Sequence, residues 1–333
     1  MRVLMTGGAG YVGSACLRHL LEKDHDVVAF DDLSEGNRGA VPEGRLIEGD
    51  IRDVDALTAA LRDHGSDCLM HFAALASVPD SIREPERYWD VNVHGTMRVL
   101  DAVRAAGVPR MVFSSTAATY AFTDEQPITE ATPQVPETPY GSTKLACERM
   151  IRDYAEGHGI GAAILRYFNA SGADASGEHG ESRGHETHLI PLILAVAAGT
   201  RDSVKIFGSD WPTRDGSCVR DYVHLADLAL AHELAAAAIQ PGRVEAYNVG
   251  NGEGTTVIEV LRACEKAVGH SITHEFAPRR PGDPAILVAS PEKLSRELGW
   301  SPSYPHIDDI VATAWRWHQA HPHGYASTAA ASD

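Results

Sequence analysis

Tyr140 and Lys144 stand four residues apart in Pro139-Tyr140-Gly141-Ser142-Thr143-Lys144, a spacing that puts both on one face if the segment is helical. A phenol with its usual pKa near 10 stays protonated at neutral pH and is a poor base. An ammonium ~6 Å away, at an effective dielectric of ~20, favours the phenolate by about 3 kcal/mol, or roughly two pKa units. Such a pair can take the proton of an alcohol, provided a further positive charge lies nearby. Thr116, in Phe113-Ser114-Ser115-Thr116-Ala117-Ala118-Thr119-Tyr120, follows an apolar run and could relay that proton to Tyr140. Taken singly, each motif has a plain structural reading: a surface helix for the first, a Ser/Thr turn for the second. What singles them out lies upstream.

Val3-Leu4-Met5-Thr6-Gly7-Gly8-Ala9-Gly10-Tyr11-Val12-Gly13 is an apolar strand running into a GxxGxxG turn and a helix. Glycines suit that turn because a dinucleotide's pyrophosphate must approach backbone N–H groups at the helix N-terminus without Cβ interference. Gly7, Gly10 and Gly13 are therefore candidate cofactor residues. Asp31 closes the next strand, 18 residues after Gly13, with Asp32 beside it. A carboxylate there accepts from the adenosine ribose hydroxyls and repels a 2′-phosphate, which selects NAD over NADP. Asp50 and Ile51, at the end of a third strand, are placed to meet the adenine.

The elements that must position these residues follow from periodicity. Short apolar runs at Arg2–Thr6, Asp26–Phe30, Arg45–Glu48, Cys68–Phe72, Arg110–Ser114, Gly161–Arg166 and Ala246–Val249 alternate, over the first half of the chain, with helix-period segments beginning near Tyr11, Asp53, Glu86 and Tyr140. That is the pattern of an α/β protein with a Rossmann-type, doubly wound parallel sheet of about seven strands and a smaller C-terminal mixed α/β domain. Residues 1–168 plus roughly 212–252 are assigned to the nucleotide domain, and roughly 169–211 plus 253–326 to a substrate domain. Thr123–Pro139, with four prolines, reads as a loop over the active site. Gly172–Gly184, rich in Gly, Ser, Asp and Glu, reads as a mobile segment, and 327–333 as a disordered tail.

Composition bounds the function classes. A net charge of −17 argues against a nucleic-acid footprint, and it requires local cations wherever an anionic ligand binds. No run approaches the ~20 apolar residues of a membrane span. The N-terminus enters the glycine loop directly, leaving no room for a signal peptide before the first element. Five scattered cysteines without a CxxC suit reduced thiols in a cytoplasm.

The stretches TGGAGYVGS (6–14), HFAALASV (71–78), NVHGT (92–96), SSTAATY (114–120), PYGSTK (139–144), RYFNASGAD (166–174), HLIP (188–191), VRDYVH (219–224), YNVGNG (247–252) and FAPRRPGDPA (276–285) together resemble the extended short-chain dehydrogenase/reductase family, and within it the UDP-glucose 4-epimerases. The resemblance covers nearly the whole chain. It implies that Thr116, Tyr140 and Lys144 act in catalysis. It adds Tyr11, Val12, Phe72, Ala73, Asn92 and Phe168 to the NAD site and assigns Tyr140 and Lys144 to it as well. It gives Asn169, His188, Lys205, Ile206, Phe207, Arg220, Arg280 and Asp283, with Thr116, to a UDP-sugar. Arg220 and Arg280 suit bidentate contact with pyrophosphate oxygens, and Asp283 can accept from the uridine ribose. The implied reaction removes a hydride from C4 to NAD and returns it to the other face of a 4-keto sugar. A homodimer is implied too.

Some positions depart from the family pattern. Ala76 stands where some epimerases carry lysine, His188 where asparagine is frequent, and Ala121-Phe122 where glycine usually follows the tyrosine. Leu287 matches a position associated with room for an N-acetyl group, and its bulk favours UDP-glucose and UDP-galactose. Other UDP-sugars, N-acetylated or pentose, stay open as alternatives. A dehydratase of the same superfamily would need an acid pair where this chain has Ala117-Ala118, and a decarboxylase a carboxylate clamp that is not evident. A non-catalytic NAD-sensing regulator is the rival from another class. His185-Glu186-Thr187-His188 lacks the HExxH spacing of a helical zinc site, so no metal is expected there.

Overall fold

The computed structural model describes residues 1–280 and 283–325; the tail expected at 327–333 lies outside them. Six strands arise in the first half of the chain: β1 (Arg2–Thr6), β2 (Asp26–Asp31), β3 (Leu46–Glu48), β4 (Cys68–His71), β5 (Arg110–Thr116) and β6 (Gly161–Tyr167). Between them run α1 (Tyr11–Glu22), α2 (Val54–His64), α3 (Val78–Arg83), α4 (Pro85–Tyr88), α5 (Gly95–Ala106) and α6 (Pro139–His158). The helical stretch expected from Glu86 is thus broken. Pro85 cannot continue α3, and Trp89–His94 widens into a π-helical turn before α5.

The second half supplies β7 (Asn169–Ser171), α7 (Leu189–Ala197), β8 (Val204–Phe207), β9 (Val219–Arg220), β10 (Tyr222–His224), α8 (Leu225–Ala238), β11 (Val244–Val249), β12 (Thr255–Thr256), α9 (Val257–Val268), β13 (His274–Ala277), β14 (Ile286–Leu287), α10 (Glu292–Leu298) and α11 (Ile307–Ala320).

Seven strands form one sheet in the order β11-β6-β5-β4-β1-β2-β3, every pairing parallel. The Rossmann-type architecture is therefore present. Parallel pairing demands helical crossovers, and these bury both faces. Val3 and Met5 enter the layer beneath α1 and α8, while Leu4 between them joins the layer beneath α2, α5 and α6. Each such side chain contributes about 1.5–3 kcal/mol on burial. The chain winds outward from β1 to β2 and β3, then returns through β4 in the other direction. The crevice where ligands of such sheets bind consequently opens at the carboxyl ends of β1 and β4.

A third apolar core gathers Ile193 of α7, Ile206 of β8, Tyr222 of β10, Val260 of α9 and Ile310 of α11. Asp221, buried between β9 and β10, ties this half to the sheet. Its carboxylate accepts from Asn251 N (2.7 Å), Gly252 N (3.0 Å) and Ala289 N (3.1 Å). Burial pushes it up to about 6, and those three amides oppose the rise.

The segment expected to be mobile, Gly172–Gly184, is instead packed. His179 is buried and its Nε2 lies 3.1 Å from Ser14 Oγ. The Glu181 carbonyl accepts from Trp317 Nε1 at 2.9 Å, and the Tyr325 hydroxyl reaches His179 Nδ1. Its glycines let aromatic and long side chains of α11 lie flat against the backbone, since a Cβ at Gly180 would collide with the Trp317 ring. Composition alone was misleading here because the partners come from the far end of the chain.

Candidate active site

The glycine loop fits a dinucleotide on structural grounds. Helix α1 begins at Gly10 with no side-chain cap, so its first N–H groups are left for a ligand's oxygens. A Cβ at Gly13 would run into the Gly7 carbonyl, and one at Gly7 (φ +71°) into the Ala73 backbone. The loop can lie this close to the β4 terminus only without side chains. Val12 packs against the α1 layer, while the Tyr11 hydroxyl donates to the Gly172 carbonyl at 2.6 Å.

Asp31 sits buried at the end of β2. One oxygen accepts from Ala9 N and the other from Leu33 N, both at 2.9 Å. A carboxylate has about four acceptor sites, so each oxygen retains capacity for a ribose hydroxyl. Asp32 is turned to solvent and closes its own turn onto Ser34. Asp50 is engaged by the guanidinium of Arg52 (Nε to Oδ1, 2.9 Å), which holds its carboxyl below the usual range. Ile51 is buried against Gly95.

Asn92 is buried in the π-helical turn. Its Oδ1 accepts from Leu75 N at 2.8 Å, and its Nδ2 donates to Leu75 O and Thr143 Oγ1, each at 3.1 Å. It thus fastens the loop after β4 to α6, so its amide acts on Phe72–Leu75 rather than outward. Ala73 N donates to Thr6 O, and the Phe72 ring lies against His232.

At the edge of the cleft, α6 starts with Thr138 as its cap and Pro139 in its first turn. A Cβ at Gly141 would collide with the Ala118 carbonyl, so this glycine lets α6 press onto the turn that ends β5. The consequence is chemical: Tyr140 comes beside Thr116. Tyr140 is buried, and burial pushes its phenol up to about 12, while hydrogen bonding to Thr116 pulls the other way. Lys144, one turn on, is buried also. Its Nζ donates to Ser114 O at 2.9 Å and lies 4.8 Å from the centroid of the Phe113 ring. Burial brings the ammonium down to about 8. Lys144 by itself therefore does not bring the phenol below its usual value, because desolvation of the phenolate outweighs any pull from the ammonium.

Behind this edge lies an ion pair the sequence did not suggest. Arg166 Nη2 meets Glu148 Oε2 at 2.6 Å, both side chains almost fully buried. Ser115 donates to Glu148 Oε1 at 2.5 Å, and Arg166 Nη1 to the Tyr120 hydroxyl at 2.9 Å. Glu148 lies one turn past Lys144, so the pair pins α6, β5 and β6 in register.

The opposite wall is built by the second half. Phe168 is buried with Ala117, Tyr120, Ile128 and Ala289, and Leu287 packs against the same group. Asn169 Nδ2 donates to Asp221 O at 2.9 Å, which leaves its Oδ1 free among the described residues. Arg220 donates from Nη1 to the carbonyls of Val219 and Pro284, and its Nη2 stands 3.4 Å from Asp283 Oδ1. The Arg280 guanidinium stacks 3.9 Å from the Phe207 centroid. Lys205 is exposed, whereas the Ile206 side chain is in the third core, leaving only its backbone for a ligand. The loop 123–138 closes over this wall, with Ile128 N bonded to Val288 O and Ser290 N to Ile128 O.

His188 is drawn to two carboxylates. Its Nδ1 is 2.9 Å from Glu181 Oε1 and 3.1 Å from Glu186 Oε1. These groups come within reach of one metal ion, their ligand atoms all lying within 4.8 Å of one another. Burial would lower the imidazole, yet Glu181 and then Glu186 raise it to about 9. In the structure as it stands the three groups form an ion-pair cluster, with one imidazole nitrogen facing both carboxylates.

The buried phenol, threonine and lysine thus stand together at the carboxyl edge of the sheet whose capless glycine-loop helix opens the chain. Residues 3–250 match the model of the NAD dependent epimerase/dehydratase family. The chain belongs to this family. It is 49% identical to a UDP-glucose 4-epimerase of Corynebacterium glutamicum over 321 residues, covering 96% of each chain. With a UDP-glucose 4-epimerase of Halalkalibacterium halodurans it shares 46% identity over 328 residues, 98% of each chain. Its fold is similar to the crystal structure of a UDP-glucose 4-epimerase from Stenotrophomonas maltophila with bound NAD and formylated UDP-arabinopyranose. The TM-score is 0.93 at 38% identity, with 97% of this chain and 99% of that one covered. In this epimerase-family chain the five cysteines are buried and free, and no helix among the described residues is long and apolar enough to cross a membrane.

Proposed function

We propose that the chain is a UDP-glucose 4-epimerase, interconverting UDP-galactose and UDP-glucose through a 4-keto sugar with NAD held at the glycine loop. The observation that carries this is the buried Tyr140 phenol beside Thr116 at the carboxyl edge of the sheet, with Lys144 one turn behind. NAD, when bound, supplies the hydride acceptor and donor for C4 and a positive charge next to the phenol. Tyr140 takes the proton of the 4′-hydroxyl directly or through Thr116, and returns it to the same C4 oxygen once the 4-keto sugar has turned its other face to the hydride donor. Lys144 keeps the region cationic. Burial raises the phenol, so the additional positive charge of a loaded site favours proton removal there.

Across the cleft, Arg220 and Arg280 take the diphosphate and Asp283 the uridine ribose, with Asn169 and His188 beside them. Lys205–Phe207 lines the uridine end. Gly7, Gly10 to Gly13 and Asp31 hold the cofactor, while Asp50, Ile51, Phe72, Ala73 and Phe168 flank it. Ala117-Ala118 offers no carboxylates for elimination, which favours epimerisation over dehydration. Leu287, packed into the apolar wall with Phe168, favours an unsubstituted hexose over an N-acetylated one. A homodimer in the cytoplasm completes the reading, and sedimentation of the loaded protein checks the dimer.

The direct test incubates the purified protein, without added NAD, with UDP-galactose, UDP-N-acetylgalactosamine and UDP-arabinopyranose, and separates the products. UDP-glucose should form from UDP-galactose faster than either other substrate turns over. UDP-galactose left unconverted even after NAD is supplied would overturn the assignment.

A further inference from the structure

Between β7 and α7 the structure assembles a charge cluster with two members that neither the motifs nor the catalytic set account for, Glu181 and Arg183. Arg183 Nε donates to Glu181 Oε1 at 2.7 Å, the same oxygen that lies 2.9 Å from His188 Nδ1. Glu181 is almost completely buried. A buried carboxylate of this kind is tolerated because it carries two cations at once. Both cations are anchored by one nitrogen only. With Nε engaged, the two Nη groups of Arg183 are left over; with Nδ1 engaged, so is Nε2 of His188. No hydrogen-bond partner for these donors exists among the described residues.

The place is informative. Glu181 and His188 line a cavity of about 70 Å³ together with Tyr11 at the start of α1 and Asn169 on β7. Arg183 is joined to that cavity by the Glu181 carboxylate, which it shares with His188. Through that shared carboxylate Arg183 stands beside a cavity bounded by the start of α1 and by Asn169 of β7. Two carboxylates, Glu181 and Glu186, occupy the same corner, and they would repel any phosphate that came near. Arg183 and His188 are the groups that screen them.

We propose that Arg183 is a further substrate-binding residue, its unused guanidinium nitrogens taking an oxygen of the sugar nucleotide's diphosphate beside His188. A guanidinium fork matches phosphate oxygens in geometry and is held ready by Glu181, so little ordering is needed on binding. Tyr140, by contrast, already has Thr116 as its hydrogen-bonding neighbour. The proposal rests on the 4-epimerase reading.

The test titrates the NAD-loaded protein with UDP and with uridine by calorimetry, for the wild type, Arg183→Met and Arg183→Lys. Removing one charge-assisted hydrogen bond to phosphate weakens affinity ~10–100-fold. Arg183→Met should raise the Kd of UDP by that factor, leave uridine within about twofold, and raise KM for UDP-galactose much more than it lowers kcat. Bound NAD should be unchanged, and Arg183→Lys should recover part of the UDP affinity. Equal losses for UDP and uridine, or an unaltered UDP affinity, would overturn the proposal. So would a fall in kcat alone with a displaced pH profile, which would make the cation a partner of Tyr140, or release of NAD, which would place it on the cofactor. Failure of the wild type to epimerise any UDP-sugar, with Arg183-dependent UDP binding intact, would sink the activity and leave this phosphate-binding role standing.

Discussion

Tyr140, the proposed proton carrier, sits in an adverse field. Burial raises its phenol to about 12, and Lys144, itself brought down to about 8, is turned to the Ser114 carbonyl. Tyr140→Phe removes the acid–base group and nothing that holds the cofactor loop. Turnover should fall by about 10²–10⁴-fold while bound NAD is retained, as read by enzyme-coupled assay and cofactor absorbance. Wild-type turnover in the variant would take Tyr140 out of the mechanism. His188 shows the opposite balance. Burial lowers it, but Glu181 and Glu186 lift it to about 9 against the repulsion of Arg183. Since this lies above the unfolded value of ~6.5, the ion pair adds stability that is complete below about pH 6.5 and fades as the pH rises through 9. Thermal unfolding of His188→Gln between those limits should show a flatter pH profile than the wild type. Identical profiles would mean that the imidazolium contributes nothing.

At the scale of elements, α6 decides whether the site exists. Gly141 lets it approach the β5 turn, Asn92 joins it to the loop after β4, and Glu148 fixes it to β6 through Arg166. Glu148→Gln leaves Arg166 buried without its counter-charge, a change that costs about 3–5 kcal/mol. Denaturant unfolding should show that loss, and residual activity should fall more than the folded fraction does, because Thr116 and Tyr140 lose their register. A stability within ~0.5 kcal/mol of the wild type would show the pair to be dispensable. The sheet strands were legible in the sequence because each is an apolar run between turn residues, and the structure moves their ends by only a residue or two. Tyr140, Lys144, Thr116 and Asp31 were legible because chemistry restricts which residue types can stand at those offsets. The two-residue strands β9, β12 and β14 were not, since two residues have no period. Arg183 and Glu181 were hidden for another reason. They lie in a stretch whose composition signals a loose loop, and the aromatic partners that order it, Trp317 and Tyr325, come well over a hundred residues later. Asp221 follows Arg220 inside a motif already singled out, and its position at a strand end was the available sign.

For the molecule as a whole, the order of strands matters more than any single pairing. β11, which borders β6 throughout Ala162–Tyr167, comes from beyond β7 to β10. A chain ending before Val244 would keep the glycine loop, Asp31, Tyr140 and Lys144, yet expose β6 as a long apolar edge. Such a truncation should be recovered largely as aggregate and should bind no NAD. A monodisperse, NAD-binding fragment would show that the edge needs no cover.

The same lateness of β11 has a consequence during synthesis. A nascent chain emerges from the ribosome at about 5–20 residues per second. For several seconds after β6 is out, the sheet waits with one flank unpaired, and every parallel neighbour it has made closed a long loop, the slow kind of association. The glycine turn exists by then, but the wall that will hold the sugar nucleotide does not. Neither ligand can therefore be held until that flank is closed, and a chaperone holdase would find its binding site on the open edge during the interval.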